Sequence, residues 1–424
     1  MGGRHMTLRK PFTRRQLITS ATAMGAAALA TPMLSTRARA SGPVQLVSHR
    51  YPALEYYAEQ LGKAAPEAGL NAQLMPFPKA FELMNIALSS KSDSIDIMYV
   101  NESMTGFMRS GWLRPMDDIW DMFREEFALD DIDPNVLKYF QYEGKTYGIP
   151  LTAISHLFFY RQDLFDEAGR SVPTTIDEYV EAAEYFNSPL RAGTVNCLRD
   201  DSALGEAHWY LNAIGEGWFD ENFEPVFNSE AGIAALSKLK QVTQYAQPGF
   251  LNAHNDECMI ALQQDVATMG VSWTTRAGAM DDPTKSAVVD QMGFAPLPGG
   301  HGRLALDGYA ISAFSSHDPE TLFRMICTAA SQEAMRGATS YTMVPRVSVL
   351  TDPEVQAQYR HYAAGLEALE TAVPFPSMPE FYSVGEFIRR RLLQSIAGEM
   401  EMAEAMDTAA EEVRGFLAEA GYYQ

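Results

Sequence analysis

Residues 142–179 read YEGKTYGIPLTAISHLFFYRQDLFDEAGRSVPTTIDEY, and this stretch decides the fold of the chain. A short strand, Thr146–Pro150, is predicted before a fully apolar strand, Leu157–Tyr160. A helix, Asp163–Ala168, then ends at Gly169. This pattern predicts a strand that leaves one sheet and continues into another, which is how a chain passes between two lobes.

The same residues carry a resemblance to a known family. The patterns YxGKxYGxP and YRxDLFxxAGxxxPxT are present, and they mark the first hinge crossing in the periplasmic solute-binding proteins of ABC importers, in the sugar-binding, maltose-type class. The segments PLPGGHGR and DGYAIS follow in the order of that family, so the resemblance covers essentially the whole mature chain. It implies a two-lobed α/β fold in which each lobe is a mainly parallel sheet flanked by helices, and a three-crossing hinge joins the lobes.

The first 40 residues indicate an export signal. They contain seven Arg or Lys and no Asp or Glu, and the pair Arg14–Arg15 precedes a weakly apolar stretch, Ile18–Met33. Ala38–Ala40 supplies small residues for cleavage before Ser41, so we expect a twin-arginine signal peptide that is removed on export to the periplasm. An anchoring helix is the alternative, and Met1–His5 resembles a cloning remnant.

The length of the mature chain predicts two domains, because 384 residues are too many for one ordinary core. Beyond the first crossing, ALDGYAISA (305–313) and TMVPRV (342–347) are expected to be the second and third crossings. Three crossings make both lobes discontinuous. The expected division assigns 41–152 and 307–343 to the first lobe, and 153–306 and 344–424 to the second.

The loops at one edge of the first lobe are expected to form a rim. Three strands alternate with two helices between residues 44 and 100, which predicts a largely parallel sheet. Ligands bind such sheets beyond the carboxyl ends of the strands. The loops that follow the strands, 49–51, 77–78 and 101–103, should therefore meet at one rim.

Polyhydroxylated ligands require aromatic faces for their C–H patches and paired hydrogen-bonding groups for their hydroxyls. In the family that the chain resembles, an aromatic residue at the position of Trp273 stacks on carbohydrate, and Tyr309 stands where relatives often have Trp. For Trp209 the alternative is a packing role, and for Arg50 and Arg346 it is a salt bridge. The candidate ligand-binding residues are Trp273, Tyr309, His49, Arg50, Tyr51, Asn101, Glu102, Trp209, Asp307, Tyr341, Arg346 and Tyr382.

Charge and cysteine content limit the classes of partner. The expected mature chain has 26 Lys or Arg against 54 Asp or Glu, a net charge of −28. This charge argues against nucleic acid and anionic membrane surfaces as partners. The three cysteines form no disulfide framework. Because twin-arginine substrates fold under reducing conditions before export, buried free thiols are expected, although a Cys197–Cys258 bridge is conceivable in the periplasm.

Enzymatic motifs are missing from the sequence. It contains no HExxH, CxxC, GxSxG or GxxxxGK[ST], and none of its eight histidines has metal-ligand spacing. We therefore expect a protein without catalytic activity, metal or cofactor. The resemblance implies a monomer that captures a sugar or polyol by hinge closure and delivers it to a membrane permease. The alternatives are an anionic sugar derivative held by Arg50 or Arg346, a polyamine, a periplasmic sensor component and a secreted glycoside hydrolase.

Overall fold

A computed structural model describes residues 42–102, 104–378 and 380–423, so the predicted signal peptide lies outside the described residues. The strands are β1 (Val44–His49), β2 (Leu70–Met75), β3 (Ile97–Asn101), β4 (Gln141–Tyr142), β5 (Lys145–Thr146), β6 (Gly148–Arg161), β7 (Ala192–Val195), β8 (Ala267–Trp273), β9 (Met292–Ala295), β10 (Arg303–Ile311) and β11 (Val373–Pro374). The α-helices are α1 (Pro52–Ala64), α2 (Phe77–Ser89), α3 (Thr105–Arg109), α4 (Asp117–Phe123), α5 (Pro134–Leu137), α6 (Gln162–Ala168), α7 (Ile176–Phe186), α8 (Ser202–Ile214), α9 (Glu230–Val242), α10 (Asn255–Gln263), α11 (Pro319–Ala329), α12 (Gln332–Ala338), α13 (Val347–Leu350), α14 (Pro353–Gln358), α15 (Tyr362–Leu369), α16 (Phe381–Ile396) and α17 (Met402–Glu419). In the described part of the chain, no helix has both the length and the apolar character that crossing a bilayer requires.

Strands β4 and β5 form a separate two-stranded sheet. The other strands belong to one sheet with the order β2–β1–β3–β10–β6–β8–β7, in which β11 pairs with β10 and β9 pairs with β6. Strand β1 is parallel to β2 and β3, and β7 is parallel to β8, as the alternation of strands and helices predicts. Strand β10 runs antiparallel to both β3 and β6. The α/β fold predicted from the sequence is confirmed, with parallel strands in each lobe and antiparallel strands where the lobes meet.

The first crossing is a single strand rather than two. Residues 148–155 of β6 pair with β10, and residues 156–160 pair with β8 in the other lobe. The intervening run, Leu151–Ser155, contains neither Gly nor Pro, so nothing in it interrupts the extended backbone. One continuous strand therefore carries the chain from one lobe into the other.

Separate cores lie on either side of this crossing. The first-lobe core collects its buried apolar side chains from residues 44–153 and 304–372. The second lobe has one core from Phe158 to Leu417, in which α16 and α17 pack, and a smaller one around Leu262. Burial of this apolar surface at about 25 cal/mol per Å² is the main stabilising contribution to each lobe.

The segment 344–372 differs from the expected division, which places it in the second lobe. Most of its buried apolar residues, Tyr362 among them, belong to the first-lobe core. Arg346 holds the start of the segment there by donating hydrogen bonds to first-lobe carbonyl groups. The chain passes to the second lobe at β11, where Val373 pairs with β10, and Phe375 is the next residue in a second-lobe core.

The expectation of free thiols is wrong for two of the three cysteines. Cys197 and Cys258 form a disulfide across 61 residues, with their Cα atoms 6.2 Å apart, within the range that a bridge requires. The packing of α10 against β7 and β8 brings the two cysteines together. Cys327 is a free, buried thiol, as expected.

Candidate ligand-binding site

Asp307 lies at the centre of a hydroxyl cluster where β10 meets the first-lobe strands. Its carboxylate accepts hydrogen bonds from the hydroxyls of Tyr99 at 2.7 Å, Thr152 at 2.9 Å and Tyr51. Burial, followed by the nearby Asp307 carboxylate, raises the pKa of both tyrosines, so both phenols stay protonated and donate. The cluster fixes a buried carboxylate beyond the carboxyl ends of β1 and β3.

The loops after β1 and β2 converge beside this cluster. The imidazole ring of His49 lies 5.4 Å from the ring of Tyr51, 5.9 Å from that of Phe77 and 5.8 Å from that of Tyr99. Burial lowers the pKa of His49, while the charge of Asp307 opposes that shift. The rim predicted from the parallel strand order is therefore present, with a half-buried histidine at its centre.

Glu102 adds a second carboxylate directly after β3. It is 8% exposed, and it accepts a hydrogen bond from the backbone N–H of Leu306 at 2.9 Å. Burial raises its pKa to about 7, against the opposing effects of the N–H donors and of Arg303. Its neighbour Asn101 is paired with Asp307 across β3 and β10. Two carboxyl groups, those of Glu102 and Asp307, thus lie beside the middle of β10.

The second lobe contributes an aromatic wall around Arg303. The guanidinium carbon of Arg303 lies 3.8 Å from the ring centroid of Phe375 and 5.1 Å from that of Trp273. Its Nη2 donates to the hydroxyl of Tyr382 at 3.3 Å. The ring of His156 lies 4.1 Å from the indole ring of Trp273. The guanidinium of Arg303, the first residue of β10, therefore packs against aromatic rings of the second lobe.

His156 is uncharged in this wall. Burial, together with Arg303 and His208, lowers its pKa well below the ordinary value. Its Nδ1 and the hydroxyl of Ser155 are buried and have no hydrogen-bond partner among the described residues. Gly205 of α8 packs beside this ring, and a Cβ added there would be in ordinary van der Waals contact with Cε1 of His156, at 3.4 Å.

Three predicted ligand residues are core residues instead. Tyr309 is fully buried: it lies on the same face of β10 as Asp307, but its hydroxyl donates to the carbonyl of Leu54 on α1 at 3.4 Å, beneath that helix. Trp209 is fully buried, and its indole N–H donates to the carbonyl of Pro298 at 3.0 Å. Arg346 is also fully buried.

The buried guanidinium of Arg346 is satisfied by the protein itself. It donates to the carbonyls of Ala330 at 2.7 Å, Ala128 at 2.8 Å and Phe127 at 2.7 Å, and it pairs with Asp131 at 3.3 Å. Removing one of these acceptors would leave part of a buried charge unpaired, which is strongly unfavourable. This set of bonds leaves no group for a ligand.

Two further candidates lie at the surface of the first lobe. Arg50 is exposed and forms a salt bridge with Glu55 at 2.9 Å. Tyr341 is 46% exposed, and its ring lies 5.7 Å from that of Tyr56 on α1. The structure brings together the remaining candidates, which are His49, Tyr51, Asn101, Glu102, Asp307, Trp273 and Tyr382.

Several residues of the cluster were missed at the level of sequence. They are Tyr99, Thr152, His156, Arg303 and Phe375. Strand alternation is the signal that could have found two of them. Arg303 lies four residues before Asp307 on β10, so the two side chains share a face of that strand. His156 lies four residues after Thr152 on β6 and shares its face in the same way. Phe375 has no comparable signal, because it depends on where the third crossing falls.

The groups at this junction suit a hydroxylated ligand better than a metal. In the described ranges, no cluster of three or more His, Cys, Asp or Glu side chains could hold a metal ion. Carboxylates accept hydrogen bonds from hydroxyls, guanidinium donates to them, and aromatic rings cover C–H surface. The fold is two-lobed, and the candidate site lies where the strands of the two lobes meet.

Comparison with known proteins gives the family. A family model described as bacterial extracellular solute-binding protein matches residues 48–335, more than half of the chain, so the chain belongs to this family. The mannitol-binding protein of Pseudomonas aeruginosa is 25% identical over 343 residues, which cover 74% of this chain and 78% of that protein.

Solved structures show the same fold. An ABC transporter solute-binding protein from Agrobacterium radiobacter K84, in complex with ribitol, has a TM-score of 0.73 at 24% identity, covering 88% of this chain and 98% of that one. One from Agrobacterium vitis S4, with bound D-mannitol, has a TM-score of 0.73 at 22% identity, covering 90% and 100%.

Proposed function

We propose that this chain is the periplasmic substrate-binding component of an ABC importer and that it captures an uncharged polyol or sugar between its lobes. The observation that carries the proposal is the meeting of two carboxylates, Glu102 and Asp307, with Arg303 and the Trp273 ring at the hinge. The mannitol-binding relative and the polyol-bound structures of the same fold support the ligand class.

The charge of the cleft favours a neutral ligand. The two cations expected to hold an anion, Arg50 and Arg346, lie at the surface and in the first-lobe core. Among the described residues of the site, an anionic ligand would meet the two carboxyl groups of Glu102 and Asp307 and a single guanidinium, that of Arg303. A polyamine would be repelled by the positive charge of the Arg303 guanidinium. Hydroxyl groups, which both donate and accept, satisfy both kinds of side chain.

Capture proceeds by hinge closure. Strands β6, β10 and β11 lie side by side where the lobes meet, and they form the hinge. A ligand that contacts both lobes only when they are closed shifts the equilibrium towards the closed state by its differential affinity. The hydroxyl of Ser377, just before α16, donates a hydrogen bond of 2.7 Å to the hydroxyl of Thr105 on α3, and this bond links the second lobe to the first.

The proposal also includes the export, the location and the oligomeric state of the protein. The protein is exported through its twin-arginine signal, which is removed, and it acts as a periplasmic monomer. It binds its ligand without chemical turnover and presents the closed form to the membrane permease.

A thermal-shift screen tests this function. The purified protein is heated with polyols, monosaccharides, disaccharides, sugar acids and polyamines at equal concentration. A ligand that binds only the folded state raises the melting temperature by mass action. We expect shifts with neutral polyols or sugars. A shift with sugar acids or polyamines alone would contradict the proposed ligand class, and conversion of a ligand to product would contradict the absence of turnover.

A further inference from the structure

Arg303 has surroundings unlike those of the other arginines discussed above. Arg50 forms a salt bridge, and Arg346 has carbonyl and carboxylate acceptors. Arg303 forms no salt bridge with a described residue, and its only hydrogen bond to one runs from Nη2 to the hydroxyl of Tyr382. Its Nε is buried and lacks a partner among the described residues. Burying a donor without a partner is unfavourable, so a local reason for its placement is expected.

Aromatic rings hold this guanidinium in place. Phe375 lies 3.8 Å from its carbon on one side, and the indole ring of Trp273 lies at 5.1 Å. Arg303 is the first residue of β10 and pairs with Val373 of β11, so its backbone is part of the hinge. The guanidinium is therefore fixed at the base of the cleft, with Nη1 left without a protein partner in the described part of the chain.

The same contacts cover the ring of Trp273. Arg303 lies over the indole, and His156 approaches it at 4.1 Å with an interplanar angle of 66°. A pyranose that stacks on an aromatic residue needs an open ring face. At Trp273 such a sugar would have to displace the guanidinium. An open-chain polyol needs no such face, and its vicinal hydroxyls match the planar fork of an arginine.

We infer that Arg303 is the specificity-determining residue of this cleft: it donates to vicinal hydroxyls of an open-chain polyol and, by covering Trp273, excludes pyranose rings. The inference rests on the proposed function. Glu102 and Asp307 accept hydrogen bonds from the remaining hydroxyls of the polyol chain. Selectivity is thus set by a cation–aromatic contact inside the protein.

Matched ligand pairs test the inference. Isothermal titration measures the affinity of the purified protein for D-mannitol and D-mannose, D-glucitol and D-glucose, and ribitol and D-ribose. The wild type is expected to bind the best polyol about tenfold or more tighter than its paired sugar, which corresponds to about 1.4 kcal/mol. Arg303→Ala is expected to weaken binding of that polyol and to reduce its preference over the sugar by about tenfold.

Two further variants make the test decisive. Arg303→Lys keeps the charge but lacks the planar fork, and it is expected to lose most of the preference. If circular dichroism shows that Arg303→Ala is unfolded, the preference measured with Arg303→Lys tests the inference in its place. Arg414→Ala removes an arginine on α17 that pairs with Glu224 at 2.8 Å, away from the site, and it should leave both affinities unchanged.

The outcomes separate the two proposals. A preference that stays the same in Arg303→Ala and Arg303→Lys, or a wild type that prefers the paired sugar, overturns the inference and leaves the proposed function standing. A wild type that binds neither polyol nor sugar overturns the proposed function itself.

Discussion

At the scale of single residues, Asp307 organises the first-lobe side of the site. It accepts hydrogen bonds from Tyr51, Tyr99 and Thr152, and an amide in its place would offer one oxygen acceptor instead of two. Asp307→Asn should lower the free energy of unfolding by about 1–3 kcal/mol, because one hydroxyl then loses its acceptor. Urea unfolding measures the change. Asp93→Asn, at an exposed site, is the control and should leave stability unchanged.

Trp273 provides the second prediction at this scale. Trp273→Ala removes the ring that packs on Arg303 and His156, so polyol affinity should fall by about 1–3 kcal/mol while the protein stays folded. Isothermal titration gives the affinity. Tyr341→Ala, which removes an exposed ring that contacts Tyr56, should bind as tightly as the wild type. Equal affinities of wild type and Trp273→Ala would place the site elsewhere.

Glu206 gives the protein a pH dependence of stability. It is buried on α8, accepts hydrogen bonds from the N–H of Cys197 and the amide of Asn196, and burial raises its pKa from 4.5 to about 7. Between these two values the folded state keeps a proton that the unfolded state releases. The contribution of Glu206 to stability therefore falls as pH rises through this window.

Glu206→Gln tests that sign. The variant cannot become charged, so its stability relative to the wild type should rise by about 1–3 kcal/mol between pH 5 and pH 8. Urea unfolding across that range measures the difference. Glu102, whose pKa is also raised to about 7, is present in both the wild type and the variant, so its effect on stability cancels and the difference reports Glu206 alone. Two stability curves that stay parallel over the whole range would contradict the assignment.

At the scale of elements, the Cys197–Cys258 disulfide ties the loop after β7 to α10. Replacing both cysteines with serine should lower the free energy of unfolding by about 2–4 kcal/mol, the usual effect of removing a cross-link. Denaturant unfolding with and without reductant provides the measurement. Reductant should destabilise the wild type and the Cys327→Ala control alike, and it should not affect the double variant. Equal stability of the double variant and the wild type would refute a structural role for the bond.

The element scale also shows what could be predicted from the sequence. Local signals predicted β1 to β3, the rim and the first crossing, because parallel strands with intervening helices have strong periodicity. The third crossing was misplaced, because the Pro345–Arg346 motif resembles a hinge while Arg346 packs into the first-lobe core. Tyr309 shares a strand face with Asp307, but α1 packs over it, and the sequence of β10 alone does not show which part of that face a helix covers.

The site could be predicted less completely than the fold. The loops after β1 and β3 supplied His49, Tyr51 and Glu102, because strand ends are fixed by local sequence. Arg303 and Phe375 meet only through the pairing of β10 with β11, which joins segments 70 residues apart. Contacts of that kind depend on the packing of both lobes, so a single sequence does not determine them.

At the scale of the whole molecule, the two lobes meet along three strands and enclose one polar, aromatic-lined junction. Carboxylates come from the first lobe, the aromatic wall from the second, and Arg303 from the hinge between them. A ligand held by both sides couples its own binding to the position of the lobes. Recognition and closure are therefore one event in this account.

A crystal structure of the protein with a bound polyol tests the central claim most directly. We expect density for the polyol between Asp307 and Glu102 on one side and Trp273 and Arg303 on the other, with the ligand in contact with both lobes. A cavity of about 440 Å³, lined by Asp117, Trp120, Arg124 and neighbouring residues, lies elsewhere on the first lobe. Density for the polyol in that cavity, with the hinge junction empty, would contradict the account.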